Sequence, residues 1–469
     1  MNKSVTYLII LSGMFAFLSC KSMEVPIMPS LDEVPDAFLN YQDSSSMAEI
    51  PWRDFFNDPN LINLIDTALK NNLNLLSTLE RIEIAKAQFQ IGRGLLFPTM
   101  DAIVRYRSGD IRPNLFNGTV NGDRNVINRV ENNFVGFQST WEIDLWGKLR
   151  DRKEAAFLNI LATEKGKQLV TTTLVAEIAT LYYDLLGQDI ELATIEKNIA
   201  FQEMALELIK IQKSAGRATE LAVQQFSAQL LSTRSMQYEK KQEIIETENY
   251  LNFLLGRFPQ QIPRAESLMQ IKLPFVAEVG MPSDMLLLRP DIQQAEFELR
   301  AAEFNVEAAR KEFLPSFSLT PYIGLNDRSI PAAFQFPGAV SVGLLGGITA
   351  PIFAQNRIKS EFQIATSSNK IALYNYQEAI LNGYQEVMNK LQRVENLRNI
   401  YSLRDQETAV LLNAVTTADE LYRGGYATYL EVITAQSRVL EAELSMTNTR
   451  RQMFYTVVDL YRALGGGWE

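Results

Sequence analysis

The sequence predicts a mainly α-helical chain with a membrane β-barrel, internally duplicated, with four strands and long coiled-coil helices. Two long proline-free stretches predict the helices, and two segments of alternating apolar and polar residues predict β-hairpins. Each feature occurs once in either half of the chain. With 469 residues, 46% of them hydrophobic, the chain can bury a sizeable core.

The long helices are predicted by the absence of proline between Pro113 and Pro259 and again after Pro351. Ala, Leu, Glu, Gln, Lys and Arg dominate both stretches, and these residues favour helix. Read as single helices, Lys148 to Lys213 and Ile358 to Arg423 are each about 100 Å long at 1.5 Å per residue. Helices of ordinary globular domains are much shorter.

Each long helix is predicted to end at a glycine-bearing turn and to double back. Gly216 lies in the first turn, and Gly424 and Gly425 lie in the second. Thr219 and Thr428 follow these turns and are suitable N-caps for the returning helices. The two turns hold matching positions in the two halves, which predicts an internal duplication.

The returning helix of the second half carries two narrow apolar stripes with heptad spacing. One consists of Val432, Ala435, Val439, Ala442, Met446, Met453, Leu460 and Ala463, and the other of Leu430, Ile433, Leu440, Leu444, Phe454 and Val458. Two stripes predict two neighbouring helices, as in a wall of coiled coils. An ordinary antiparallel coiled coil is the alternative.

The predicted strands have one apolar face and one polar face. The apolar positions are Ala102, Val104, Val135, Phe137, Trp141 and Ile143 in the first hairpin and Phe317, Leu319, Ile323, Val340, Val342 and Leu344 in the second. Four strands cannot enclose a water-filled lumen, so closure requires several chains, and a trimer would supply twelve strands. The alternative is that both hairpins pack on a soluble core.

Composition argues against several classes of function. The chain has no histidine and one cysteine, so common metal ligands, neutral-pH bases and thiol nucleophiles are scarce. We therefore expect no enzyme activity, no metal site and no cofactor. The formal charge of −10 and the lack of a dense Lys/Arg run argue against a nucleic-acid partner.

The single cysteine lies at the end of an N-terminal export signal. An apolar stretch from Tyr7 to Leu18 is too short to span a bilayer as a helix, and Cys20 follows it. This pattern resembles a bacterial lipoprotein signal, in which Cys20 becomes the lipid-modified first residue. The alternative is an ordinary signal peptide followed by an incidental thiol. No later segment is expected to be a membrane-spanning helix.

Four motifs, in their order along the chain, carry a family resemblance. They are Pro51-Trp52-Arg53-Asp54-Phe55-Phe56-Asn57-Asp58-Pro59, Asp144-Leu145-Trp146-Gly147-Lys148, Leu288-Arg289-Pro290-Asp291 and Pro351-Ile352-Phe353. Through them the chain after Cys20 resembles the TolC-like outer-membrane efflux proteins. More narrowly, it resembles the lipoprotein (NodT-type) subgroup that serves resistance-nodulation-division (RND) pumps.

The resemblance implies a homotrimer with a twelve-stranded barrel in the outer membrane of a Gram-negative bacterium and a twelve-helix tunnel in the periplasm. It implies two partners, a periplasmic adaptor (membrane fusion) protein and an inner-membrane RND transporter. The chain would be the passive, gated channel of a tripartite pump that exports small molecules such as drugs. It implies outer-membrane lipid around the barrel and no cofactor beyond the lipid on Cys20.

The expected domains follow from this plan. They are a signal peptide at 1–19, a lipidated extended arm at 20–50, a first repeat at 51–256, an equatorial connector at 257–290, a second repeat at 291–465 and a C-terminal tail at 466–469. The hairpins are expected at about 99–144 and about 316–349, and the long helical pairs at 148–255 and 357–464.

The resemblance also implies a gate where the helices converge at the periplasmic tip, beside the Gly216 and Gly425 turns. In the family, tyrosine-centred hydrogen bonds and rings of acidic residues hold this gate closed and favour cations. Tyr422 occupies the position of the gate tyrosine.

The acidic gate positions depart from the family pattern. Glu431 falls where one gate aspartate lies, but the second position holds Thr434 and the first-half position holds Ala222. Glu220 and Glu431 are therefore the candidates for a replacement ring, because three copies around a threefold axis would concentrate negative charge. Alternatively, both are solvated carboxylates beside a helix N-terminus.

Two other functions stay open. An outer-membrane channel for type I secretion or for metal efflux would share this architecture. A periplasmic coiled-coil scaffold or adhesin lipoprotein, a different class, would use the helices but leave the hairpins unexplained.

Overall fold

The computed structural model describes residues 28–29, 34–35, 37–38, 46–105, 133–265, 268–269, 271, 280–327, 337, 340–352, 354 and 356–468. The chain divides into a first unit of Met1–Pro29, Glu83–Leu161 and Phe297–Tyr374 and a second of Ser30–Ile82, Ala162–Glu296 and Asn375–Glu469. Cys20 and Phe353, the last residue of the Pro351-Ile352-Phe353 motif, lie outside the described residues.

The regular elements alternate between helices and strand pairs. The helices are α1 (Trp52–Phe55), α2 (Pro59–Asn71), α3 (Leu73–Gly94), α4 (Lys148–Ser214), α5 (Glu220–Leu254), α6 (Met285–Leu288), α7 (Pro290–Lys311), α8 (Arg357–Arg423) and α9 (Tyr429–Ala463). The strands are β1 (Thr99–Arg105), β2 (Asn133–Ile143), β3 (Ser316–Asp327) and β4 (Val340–Thr349). Short 3-10 turns occupy Met47–Glu49 and Pro282–Asp284.

The internal duplication is confirmed by the matching lengths of the helices. The long helices α4 and α8 both contain 67 residues, and the returning helices α5 and α9 both contain 35. The helices that precede the hairpins, α3 and α7, both contain 22 residues. The predicted N-caps are also confirmed, because the side chains of Thr219 and Thr428 accept hydrogen bonds from the first-turn amides of α5 and α9.

The first unit contains one antiparallel sheet in the order β1-β2-β3-β4. Val135 pairs with Val104 on one side and with Leu325 on the other, and Leu325 pairs with Val340. Because side chains alternate along a strand, this register fixes which residues share a face. Beyond the sheet, Ala155 and Leu158 of α4 and Ala301 of α7 form a small apolar cluster.

The second unit contains the main hydrophobic core. Residues of α1, α2, α4, α5, α8 and α9 meet in one cluster, which includes the fully buried Tyr182 and Phe454. Phe55, from the predicted Pro-Trp-Arg-Asp-Phe-Phe motif, stacks on Tyr461 with ring centroids 4.0 Å apart. The motif therefore anchors α1 to the C-terminal helix by aromatic packing.

Most of the second apolar stripe predicted on α9 packs against helices of the same chain, whereas Leu430 at its start is 55% exposed. Leu440 is buried in a cluster with Ile195 of α4 and Leu230 of α5. Nearer the C-terminus, Phe454 and Val458 are buried in the main core. Thus α9 has helical neighbours in the same chain, and one neighbour for each stripe stays a prediction.

Arg289 is the residue through which the Leu-Arg-Pro-Asp motif contacts the helices of the second repeat. Its guanidinium is buried, and it donates to Asp291, to Glu386 of α8 and to the carbonyl of Ala463 at the end of α9. Burial opposes the charge, but the two carboxylates raise the pKa of Arg289. The motif therefore joins the connector to both helices of the second repeat.

One helix is apolar enough to be a candidate for a membrane span, although the sequence predicts no membrane-spanning helix after the signal segment. Within Lys148–Ser214 an 18-residue window is apolar enough, by length and composition, for a membrane span. However, 61% of that window is buried inside the protein. Helices of hydrophobic cores meet the same criterion, so the window is explained by packing.

Candidate functional site

The sheet has one continuous apolar face. The register places on it Met100, Ala102, Val104, Val135, Phe137, Trp141, Ile143, Phe317, Leu319, Ile323, Leu325, Val340, Val342, Leu344 and Ile348. Many of these side chains are exposed in the single chain, with Val104 at 76% and Val342 at 70%. An exposed apolar surface of this extent indicates contact with lipid or with another protein.

The opposite face is predominantly polar, although Ile103, Phe134, Tyr322 and Leu345 also lie on it. The register places on it Asp101, Arg105, Gln138, Thr140, Glu142, Ser318, Thr320, Asn326, Ser341 and Thr349. Arg105 donates a hydrogen bond of 3.2 Å to the side-chain oxygen of Gln138. An apolar face toward lipid and a polar face toward water is the arrangement of a membrane β-barrel strand.

Both outer strands of this sheet are edges. Among the described residues, β1 pairs only with β2 and β4 pairs only with β3. An unpaired strand edge exposes backbone N–H and C=O groups, which have no hydrogen-bonding partner in a hydrocarbon environment. A sheet with an apolar face and two open edges is therefore an incomplete barrel wall.

The tip of the first helical pair is the turn between α4 and α5. Gly216 has φ +72°, and nothing lies within 4 Å of a Cβ built there. The Gly216 amide donates to the carbonyl of Lys213, and the Arg217 amide donates to that of Gln212. This is a Schellman C-cap, which requires a residue that tolerates positive φ.

The tip of the second helical pair has the same geometry. Gly425 has φ +80°, its amide donates to the carbonyl of Tyr422, and the Tyr426 amide donates to that of Leu421. Gly424 does not have positive φ, so only Gly425 requires glycine for its backbone conformation.

The two tips meet in a small apolar cluster within the second unit. Ile209, Ala222 and Phe226 are its buried members, and Tyr422, Tyr429 and Ile433 pack against them. The cluster therefore combines residues of both repeats. It places the predicted gate tyrosine beside the first repeat's turn.

Tyr422 also forms a polar link between the repeats. Its hydroxyl donates a hydrogen bond to the side-chain oxygen of Gln212. Burial raises the pKa of Tyr422, so the hydroxyl keeps its proton at neutral pH. Because the Gln212 carbonyl also caps α4, one residue connects the first turn to the second repeat.

Glu431 is held by its own helix. Its carboxylate accepts hydrogen bonds from the amide of Thr428, at 3.0 Å, and from the Thr428 hydroxyl. Together with the Thr428 side chain this forms a capping box at the start of α9. The hydrogen bond from the Thr428 side chain lowers the pKa of Glu431, and the carboxylate is exposed.

The other predicted gate residues differ in their contacts. Glu220 is exposed and forms an ion pair with Lys213 across the first turn. Thr434 is exposed one turn after the start of α9. The structure thus brings Tyr422 into a cluster with the first tip, whereas Glu220 and Glu431 each form contacts within their own repeat.

Gln212 was not predicted as a site residue. A glutamine in a Lys/Gln/Glu-rich helix resembles a solvated surface residue, and its partner lies in the other repeat. The equivalent position in the second repeat is Leu421, four residues before Gly425. Because leucine is apolar, the duplication gives no signal that Gln212 forms a polar contact.

Comparison with known proteins agrees with this geometry. The family described as "Outer membrane efflux protein" matches residues 64–257 and 281–466. The cation efflux system protein CusC of Escherichia coli O6:H1 is 29% identical over 454 residues, covering 96% of this chain and 94% of CusC. The solvent efflux pump outer membrane protein SrpC of Pseudomonas putida is 28% identical, covering 89% of this chain and 87% of SrpC.

A second relative and a solved structure extend the comparison. The probable outer membrane lipoprotein SilC of Salmonella typhimurium is 26% identical, covering 98% of both chains. A crystal structure of CusC, described in terms of folding and transmembrane channel formation, matches with a TM-score of 0.81 and 26% identity. That match covers 94% of this chain and 100% of the CusC chain.

Each repeat contributes one hairpin to the amphipathic sheet and one pair of long helices. These features define a channel-forming protein of the outer membrane. The chain belongs to the outer membrane efflux protein family. It is an outer-membrane channel component of an efflux pump, and the family consists of channel proteins, not enzymes.

Proposed function

We propose that three copies of this chain form one passive pore, with a twelve-stranded barrel and a twelve-helix periplasmic tunnel. The observation that carries this proposal is the four-stranded sheet, which has an apolar face and two open edges. Pairing β4 of one copy with β1 of the next would satisfy both edges and leave no edge in the membrane.

Exposed apolar side chains on the long helices support the same assembly. Examples are Phe201 and Met204 on α4, which are 50% and 61% exposed, and Leu403 and Val410 on α8, which are 65% and 67% exposed. Rows of apolar residues on long helices favour packing against further helices. Neighbouring copies of the same chain would supply them.

The proposed partners are a periplasmic adaptor (membrane fusion) protein and an inner-membrane RND transporter. A passive channel needs an energy source elsewhere, and pumps of this family combine the channel with such components. The transporter would select the substrate, and this chain would conduct it from the periplasm to the outside.

The proposed cargo is small molecules such as drugs or solvents. Similarity to SrpC, named as part of a solvent efflux pump, supports this class. Metal-ion efflux is the second candidate, because CusC is named as a cation efflux protein. The two candidate cargoes are distinguished by deleting the gene and measuring the sensitivity of the cells to organic solvents, antibiotics, silver and copper. A defect confined to the metals would overturn the first candidate.

Lipid attachment at Cys20 is part of the proposal. The signal-like segment before Cys20 supports it, and the relative SilC is named a probable outer membrane lipoprotein. Metabolic labelling with a fatty acid should mark the wild-type protein and fail to mark Cys20→Ala. Equal labelling of both would exclude Cys20 as the anchor.

We propose that the helix tips form the gate, with Tyr422 and Gln212 holding the closed state. Glu431 and Glu220 remain the candidates for charge near the constriction, although a capping box and an ion pair already engage them. The pore itself is tested by adding purified protein to planar lipid bilayers, where it should produce uniform conductance steps. Folded protein that inserts without conducting would refute the pore.

A further inference from the structure

The polar face of the sheet carries an aromatic pair on a floor of glycines. Gly136 of β2 pairs directly with Gly324 of β3, and Gly343 of β4 pairs with Tyr322. The register places all three glycines on the polar face, together with Phe134 and Tyr322. Ile103 and Leu345 are the other large apolar residues on this face, and the rest are small or polar.

Each ring reaches over glycines of the polar face, and the two rings are not parallel to one another. A Cβ built on Gly136 would be 2.9 Å from the Phe134 ring, and one built on Gly324 would be 2.8 Å from it. A Cβ built on Gly343 would overlap the Tyr322 ring. The rings meet edge to face, with centroids 6.0 Å apart and planes at 81°.

Real Cβ atoms do not approach other heavy atoms within 3 Å, so any side chain at Gly343 must displace the Tyr322 ring. Because the backbone of β4 lies beneath the ring, we expect the displaced ring to move away from the sheet, toward the polar side. Glycine is therefore required here for space, and Tyr322 depends on it.

We infer that Phe134 and Tyr322, which are seated over Gly136, Gly324 and Gly343, set the width of the pore within the membrane. This inference rests on the proposed trimeric pore, in which the polar face lines the water-filled lumen. Three copies of the pair then form an aromatic collar. The collar limits the size of solute that passes the barrel, independently of the helix-tip gate.

The test compares single-channel conductance in planar bilayers for trimers of the wild type, Gly343→Ala, Tyr322→Ala and the double variant. Gly343→Ala should lose conductance, because the methyl group pushes the ring into the lumen. The double variant should recover at least the wild-type value, and Tyr322→Ala alone should exceed it. The rate at which a bulky dye passes the pore should rank the variants in the same order, lowest for Gly343→Ala and higher than wild type for Tyr322→Ala.

Gly347→Ala is the matched control. It lies on the same strand and face, but its added Cβ would meet only the Ser318 hydroxyl, at 3.6 Å, so conductance should stay unchanged. Wild-type conductance in Gly343→Ala, or an equal loss in the double variant, would overturn the inference. If Gly343→Ala does not assemble into trimers, the conductance of Tyr322→Ala relative to wild type is the deciding measurement. A wild type that never conducts would instead refute the proposed pore.

Discussion

Tyr422 and Gln212 belong to different repeats, yet one hydrogen bond and one apolar cluster join them. The position of Tyr422 was predictable, because it precedes a recognisable glycine turn. Gln212 was not predictable, since its partner is set by how α4 and α8 pack side by side. Sequence patterns report the face of a helix but not which polar atoms meet across it.

Tyr422→Phe removes the donor and leaves the ring in its cluster. Losing a partly buried hydrogen bond of this type costs about 1 kcal/mol, so the closed tip should open more often. We expect a higher resting conductance in planar bilayers and greater antibiotic leakage in cells. Tyr426→Phe, on the same turn with an 87% exposed side chain, is the control and should behave like wild type. Identical records for Tyr422→Phe and wild type would remove Tyr422 from the gate.

The two roles of Glu431, as a helix cap and as a negative charge, can be tested separately. Glu431→Gln keeps an oxygen that accepts from Thr428 but removes the charge, whereas Glu431→Ala removes both. If the charge attracts cations, Glu431→Gln should lower the cation-to-anion permeability ratio. If only the cap matters, Glu431→Gln should match wild type and Glu431→Ala should loosen the start of α9 in hydrogen exchange.

The stability that the Glu431 cap gives to the start of α9 should also depend on pH. The pKa of Glu431 is lowered in the folded chain by its hydrogen bonds with Thr428. Its stabilising contribution is therefore complete above the ordinary glutamate pKa and is lost as the pH falls through the lowered value. Hydrogen exchange at the start of α9 should accelerate under acid in wild type. An equal acceleration in Glu431→Gln would assign the effect to another group.

At the scale of elements, the strands were predictable because their alternation matches the pleat of a sheet. The register then puts Val104, Val135, Leu325 and Val340 in one row on the apolar face. The aromatic pair on the polar face was not predictable, because Tyr322 follows Pro321 in an apolar run. Only the pairing of Tyr322 with Gly343 shows that its ring has a place to lie.

The two faces of β4 predict opposite responses to charge. Val342→Arg puts a guanidinium on the apolar face and should cost about 2 to 4 kcal/mol near the middle of the bilayer. Ser341→Arg, its neighbour on the polar face, should be tolerated because that side faces water. The amount of heat-resistant oligomer in outer-membrane fractions measures both. Equal losses in the two variants would show that the sheet does not separate lipid from water.

At the scale of the whole molecule, the sequence predicted the duplication and the long helices, and the family match supports an efflux channel. The assembly is harder to predict, because no pattern in one chain specifies how many copies close a barrel. The inference depends instead on what the single chain leaves unsatisfied. In the part of the chain that the structure describes, two strand edges are open and apolar helix faces are exposed, and further chains would cover both.

The most direct test of the account is the mass of the intact particle, measured by native mass spectrometry after gentle extraction in detergent. The account predicts a particle of three chains that stays assembled and conducts when returned to a bilayer. A stable, well-folded monomer, with protected backbone amides along the outer edges of β1 and β4, would contradict it.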